Sequence, residues 1–191
     1  MNDLKSIEKS VKVIEKAKLN YALLHCKSEY PAESKGLKLD FIITLKKKFP
    51  KCVVGYSDHS IGTIPCISAM SKGASIIEKH FTDSKKRKGP DIVCSMDKKD
   101  LQFLNKASET IFLSNGSEKK ISLIEKKTSR FAFSSVVSIQ NIHKGEKISF
   151  KNVWVKRPGT GYYQANTLRT LIGKKAKRFI SRNSFIKKAD V

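Results

Sequence analysis

Long apolar runs are missing from this sequence. No stretch approaches the ~20 consecutive apolar residues of a membrane-spanning helix, and residues 1–20 carry too much charge for a secretory leader. Cysteine is scarce, and Cys26, Cys52, Cys66 and Cys94 form no CxxC pair. A reduced cytoplasmic protein with free thiols in its core is therefore expected, with no membrane partner. Acidic residues are few, 17 against 39 basic ones, for a formal net charge of +22. Arginine is scarcer still: 6 of the 39 basic residues, the other 33 being Lys. Base readout and phosphate clamping favour the planar guanidinium fork. A lysine surplus spread over the whole chain, without an aromatic stacking platform, reads as a solvated surface rather than a nucleic-acid interface. The same charge can help to hold a phosphorylated substrate.

What remains is enough for a real core. The 191 residues are 39% hydrophobic, which suits a globular chain of one or two domains. Leu4, Ile7, Val11 and Ile14 recur at helical spacing. Residues 21–26, 52–56 and 74–81 read as strands. Residues 36–48, 62–72 and 97–113 read as the helices between and after them, the last opened by an acidic turn. Strands alternating with helices at this spacing imply a parallel sheet of βαβ units. Residues 114–129 are polar, broken at Asn115-Gly116, and read as a linker. From Arg130 the elements shorten: FAFSSVVS, a turn at residues 143–146, KISF and VWVKRPGTGY, a second and mostly β domain over 130–191. No internal repeat is visible.

Three parallel strands cannot close a barrel, which needs eight strands and typically about 250 residues. Left open, such a sheet exposes an edge and an apolar face. Residues 1–113 are therefore expected to be the last strands and helices of a larger domain, or a small α/β domain completed by a partner chain.

Chemistry concentrates in residues 53–96, which hold VVGYSDH, SIIEKHF and GPDIVCSM. Strand alternation puts residues two apart on one face, so Ser57 can point with His59, and Glu78 with His80. Two imidazoles at neighbouring strand ends can hold a divalent metal with positions left open, or can simply be satisfied by hydrogen bonds. Asp58 and Glu78 stand either as supports of those imidazoles or as strand-end charges. Ser28 and Tyr30 in HCKSEYP share a face, towards a pocket or within a satisfied loop. Asp91 in KGPD can accept sugar hydroxyls or stabilise a turn. Arg157 before the Pro-Gly turn of KRPGTG is either a displayed hydrogen-bond fork or a surface residue. Gly159 and Gly161 lack the strand–turn–helix context of a phosphate loop.

At HCKSEYP, GYSDHS, EKHF, GPDIVCSM, FAFSSVV, the His-Lys-Gly-Glu turn and VKRPGTG, the sequence resembles the sialic acid synthase (N-acetylneuraminate synthase) family, from about residue 2 to the C-terminus. The resemblance implies an α/β fold: the C-terminal portion of a (β/α)8 TIM barrel, then a small SAF, or antifreeze-like, domain. It implies metal-dependent condensation of phosphoenolpyruvate with N-acetylmannosamine or a related amino sugar, releasing phosphate, in a domain-swapped homodimer. By motif, His59 and His80 are the expected ligands of manganese or magnesium. Glu78, Asp91 and Tyr30 are expected to contact the open-chain sugar, with Phe131 near its end. Ser57 and Ser28 are expected to contact phosphoenolpyruvate, and Arg157 the N-acetyl group in the partner's barrel. The family's N-terminal half-barrel, with its Glu and several Lys and Ser residues, has no counterpart here. Activity is therefore expected only with that half supplied, either as a separately encoded half-barrel partner or from an upstream frame cut off by a misplaced start codon. The alternative is a truncated, non-catalytic remnant whose SAF domain binds sugars or another protein.

Overall fold

The computed structural model describes residues 1–191, which divide into two compact units, Met1–Gly116 and Ser117–Val191. In the first unit, helix α1 (Leu4–Lys16) starts where the Asp3 side chain accepts the Ser6 N–H at 2.8 Å. Its apolar stripe buries Val11. Strand β1 (Ala22–Cys26) follows, then α2 (Phe41–Lys48), which ends in three lysines that complement the helix C-terminus. Strand β2 (Val53–Asp58), α3 (Ile64–Ser71, with Pro65 in its first turn), β3 (Ile77–Lys79) and α4 (Lys98–Ser114) complete the unit. A reciprocal pair of hydrogen bonds between Asp97 and Asp100 caps α4.

The three strands form a parallel sheet in the order β1-β2-β3. Val11, Ile42, Leu45, Phe49, Val54, Tyr56 and Ala69 make a core between sheet and helices. Gly55 is required on β2, because a Cβ there would lie 2.6 Å from the Ile76 carbonyl oxygen. Beyond β3, Thr82 and Met96 bond backbone to backbone at 2.9 Å, and Met96 donates to the His80 carbonyl at 2.8 Å. This ties the GPDIVCSM segment to the strand end. No helix is long and apolar enough to cross a membrane.

Residues 114–129, which straddle the boundary between the two units, are not all the linker expected. Ser122 and Glu125 form a capping box that opens α5 (Leu123–Ala132). FAFSSVVS is accordingly split, helical to Ala132 and extended only from Ser135. Strand β4 (Ser135–Ser138) pairs antiparallel with β5 (Val153–Lys156). KISF, expected as an extended element, makes one isolated bridge, Lys147 to Lys175. A single helical turn, α6 (Leu168–Leu171), closes over a core of Val136, Ile142, Ile148, Val153, Leu171 and Ile186.

Candidate active site

Register decides which side chains meet. Ser57 on β2 lies beside Glu78 on β3, and Asp58 beside Lys79. Alternation then sends Ser57 and His59, with Glu78 and His80, to one face, and Asp58 with Lys79 to the other. On the first face the Ser57 hydroxyl donates to Glu78 Oε1 at 2.9 Å. The His59 and His80 rings lie 5.3 Å apart, centroid to centroid. Tyr30 completes a triangle, 4.1 Å from His59 and 5.8 Å, edge-on, from His80.

His59 is 6% exposed, and its Nδ1 sits 3.0 Å from the Lys27 carbonyl. A carbonyl can only accept, so Nδ1 is the donor here, and in the neutral ring Nε2 is the nitrogen left with a lone pair. Such a backbone contact fixes the tautomer of a metal-ligating histidine. The Ala32 N–H donates to the His59 carbonyl at 2.9 Å, fastening the loop that carries Tyr30 to the end of β2. Cys26 Sγ is 3.7 Å from His59 Nδ1 and 3.8 Å from Ser28 Oγ. Asp91 Oδ2 stands 3.9 Å from His80 Nδ1, just beyond direct hydrogen-bond reach. Loss of solvation, with smaller pushes from Cys26 and Asp91, holds the Tyr30 phenol above its ordinary value, so it stays a neutral donor.

The fold therefore gathers Ser28, Tyr30, Ser57, His59, Glu78, His80 and Asp91 at one end of the sheet. As metal ligands, His59 and His80 suit a cation by chemistry: two imidazoles side by side, one buried with its Nδ1 bonded to a backbone carbonyl, the other partly exposed. No group of three or more His, Cys, Asp and Glu side chains is arranged to hold an ion by itself. The pair thus fits as part of a coordination shell.

Asp58 touches neither imidazole. It is fully buried on the opposite face, where Lys79 Nζ reaches Oδ2 at 2.6 Å, Tyr56 Oη and the Ser60 N–H reach Oδ1 at 2.9 Å, and Cys66 Sγ lies 3.2 Å from Oδ2. Lys79 escaped the sequence reading, although its place between Glu78 and His80 already assigns it to the far face.

In the second unit the Arg157 guanidinium carbon lies 5.9 Å from the centroid of the Phe131 ring, and both residues are exposed. The turn that displays Arg157 is clamped from behind. Ser135 Oγ donates to the Pro158 carbonyl at 3.0 Å and accepts from the Gly161 N–H at 2.8 Å. A Cβ on Gly161 would come within 2.7 Å of the Ser135 Cβ, so only glycine lets the turn approach β4 so closely.

The NeuB family profile matches residues 1–120, and the SAF domain profile residues 133–191. The N,N'-diacetyllegionaminic acid synthase of Campylobacter jejuni is 38% identical over 165 residues, 84% of this chain and 49% of that protein. The N-acetylneuraminate-9-phosphate synthase of Drosophila melanogaster is 29% identical over 199 residues, 91% of this chain and 54% of its own. Among solved structures, the N-acetylneuraminic acid (sialic acid) synthetase of Leptospira borgpetersenii superposes with a TM-score of 0.61 at 35% identity, covering 67% of this chain and 45% of that one. The chain spans about half the length of the curated relatives it matches.

Proposed function

This chain belongs to the NeuB family, and from that membership we propose that it supplies the histidine-bearing half of a nonulosonic acid synthase. Its first unit is then the C-terminal part of a (β/α)8 barrel, completed by a separately supplied N-terminal half. The reaction is condensation of phosphoenolpyruvate with the open-chain form of N-acetylmannosamine or a related amino sugar. C3 of phosphoenolpyruvate attacks the aldehyde carbon, water adds at C2, and phosphate leaves. The observation that carries the reading is the His59–His80 pair, 5.3 Å apart, above a Glu78 carboxylate oriented by Ser57.

His59 and His80 would hold a divalent metal, manganese or magnesium, through one ring nitrogen each. When bound, that ion supplies Lewis acidity towards the sugar carbonyl. The chain's own groups do the rest. Ser57 fixes one oxygen of Glu78 and leaves the other to accept sugar hydroxyls. Tyr30 covers His59 and walls the sugar side, and Asp91 accepts a further hydroxyl. Ser28 and Ser57 face phosphoenolpyruvate. Holding both substrates in one pocket contributes the proximity term. Arg157, steadied over Phe131, would reach the N-acetyl group in the partner's barrel of a domain-swapped homodimer.

Coexpression with an N-terminal half-barrel and an assay of phosphate release tests the reading. Metal-dependent release is expected, and His59→Ala should abolish it; turnover retained in His59→Ala would refute the assignment. The second unit has a buried core of its own, which supports a second reading, a non-catalytic remnant whose SAF domain binds sugars or another protein. Absence of phosphate release from the reconstituted wild type would favour that reading.

A further inference from the structure

The face of the sheet behind the histidines carries an ion pair sealed from water. The Asp58 and Lys79 side chains are 0% and 1% exposed, with Nζ 2.6 Å from Oδ2. Such a pair is a poor source of stability, because desolvation can exceed the Coulomb gain and an apolar pair of equal volume does as well. Its use lies in what it holds. Asp58 directly precedes His59, and Lys79 directly precedes His80, so one contact joins the two strands at the residue before each imidazole. The pair also grips the chain just after His59 from both sides. The Ser60 N–H donates to Asp58 Oδ1 at 2.9 Å, and the Ser60 carbonyl accepts from Lys79 Nζ at 2.7 Å. Tyr56 Oη anchors the carboxylate at 2.9 Å from below. The Ala32–His59 backbone bond passes the same restraint to the Tyr30 loop.

We infer that Asp58 and Lys79 are positioning residues: without touching substrate, they set the spacing and aim of His59 and His80, and with them the affinity of the imidazole pair for a divalent cation. The inference rests on the metal-binding role proposed for those histidines.

The test uses the full chain, with cobalt(II) as a visible-absorption probe. The double variant Asp58→Asn/Lys79→Met removes both charges at nearly constant volume and leaves no ion unpaired. Its thermal unfolding should stay close to the parent's, while cobalt affinity falls roughly ten- to a hundredfold, as for other groups that orient metal ligands. Parent-like affinity in the folded double variant overturns the inference. Should that variant fail to fold, Tyr56→Phe removes one anchor and keeps the pair. A severalfold loss of affinity then supports the inference, and an unchanged value overturns it. Should the parent and His59→Ala both leave the cobalt spectrum unaltered, the metal reading fails by itself. Metal-free proton–nitrogen correlation spectra of the imidazoles then decide: a fixed Nδ1–H tautomer of His59 that averages in the double variant supports positioning, and identical spectra overturn it.

Discussion

At Asp58, burial and hydrogen bonding pull in opposite directions. Burial is the larger single influence and would raise the carboxyl, yet the bonds from Lys79 and the Ser60 N–H together outweigh it and hold the group below its ordinary 3.8. A carboxyl depressed in the folded state contributes stability that is present above the unfolded value and lost as pH falls through the folded one. Asp100, bonded to Lys85, is held down in the same sense. Urea-unfolding midpoints are therefore expected to change little from neutral pH down to about pH 5 and to drop below about pH 4. Relative to its own neutral-pH value, Asp58→Asn should drop less steeply. Cys66 feels the same surroundings with the opposite result. Burial first, then the Asp58 carboxylate, push its thiol up to about 12. Because the thiolate is the nucleophile, iodoacetamide at mildly alkaline pH should leave Cys66 unmodified in the folded chain and label it in denaturant. Peptide mass spectrometry checks this, and fast labelling of the folded chain would contradict the buried placement.

Among the elements, β2 carries the most consequence, since its register with β3 puts Ser57 against Glu78. Gly55 permits that approach: a Cβ would meet the Ile76 oxygen at 2.6 Å and the Ile76 Cβ at 2.8 Å. Gly55→Ala should cost the first unit ~1–3 kcal/mol by overpacking, measured by denaturant unfolding; an unchanged midpoint would refute the tight fit. Much of this unit was legible beforehand. The helical spacing of Leu4, Ile7 and Val11, and the i, i+2 pairing of Ser57 with His59 and Glu78 with His80, are local patterns, and local patterns survive into the fold. Inter-strand register is not local. Nothing in the sequence order of Asp58 and Lys79 says that they lie side by side, and so their pairing went unread. Helix α5 was missed for another reason. Its apolar Leu123, Ile124 and Phe131 are exposed rather than aligned on a buried face, and the flanking lysines and Asn115-Gly116 resemble a linker. The Ser122–Glu125 capping box was the available signal. KISF forms no full strand: Lys147 bridges Lys175 and Ile148 exchanges backbone bonds with Gly173 and Lys174, partners that sequence order does not reveal.

Taken whole, the molecule joins a parallel α/β unit to a unit built on a small antiparallel sheet with more helix than the mostly β domain expected, each with its own buried apolar cluster. The family resemblance was readable because its motifs are short and local. The assignment of Phe131 and Arg157 to a sugar site rests on motif and proposal, while Ser28, Tyr30, Ser57, His59, Glu78, His80 and Asp91 meet within the first unit. One topological detail bears on the behaviour of the chain in bulk. Strand β1, with Leu23 and Leu24, pairs with β2 alone, so its other side is a template for strand addition. Between copies of this chain, the charge of +22 opposes that contact by long-range repulsion. Salt shortens the repulsion to about 10 Å at 0.1 M. Colloidal behaviour should then run opposite to ordinary salting-in: light scattering at fixed protein concentration is expected to rise with added sodium chloride, with lysine-rich repulsion acting as the guard of an otherwise adhesive edge.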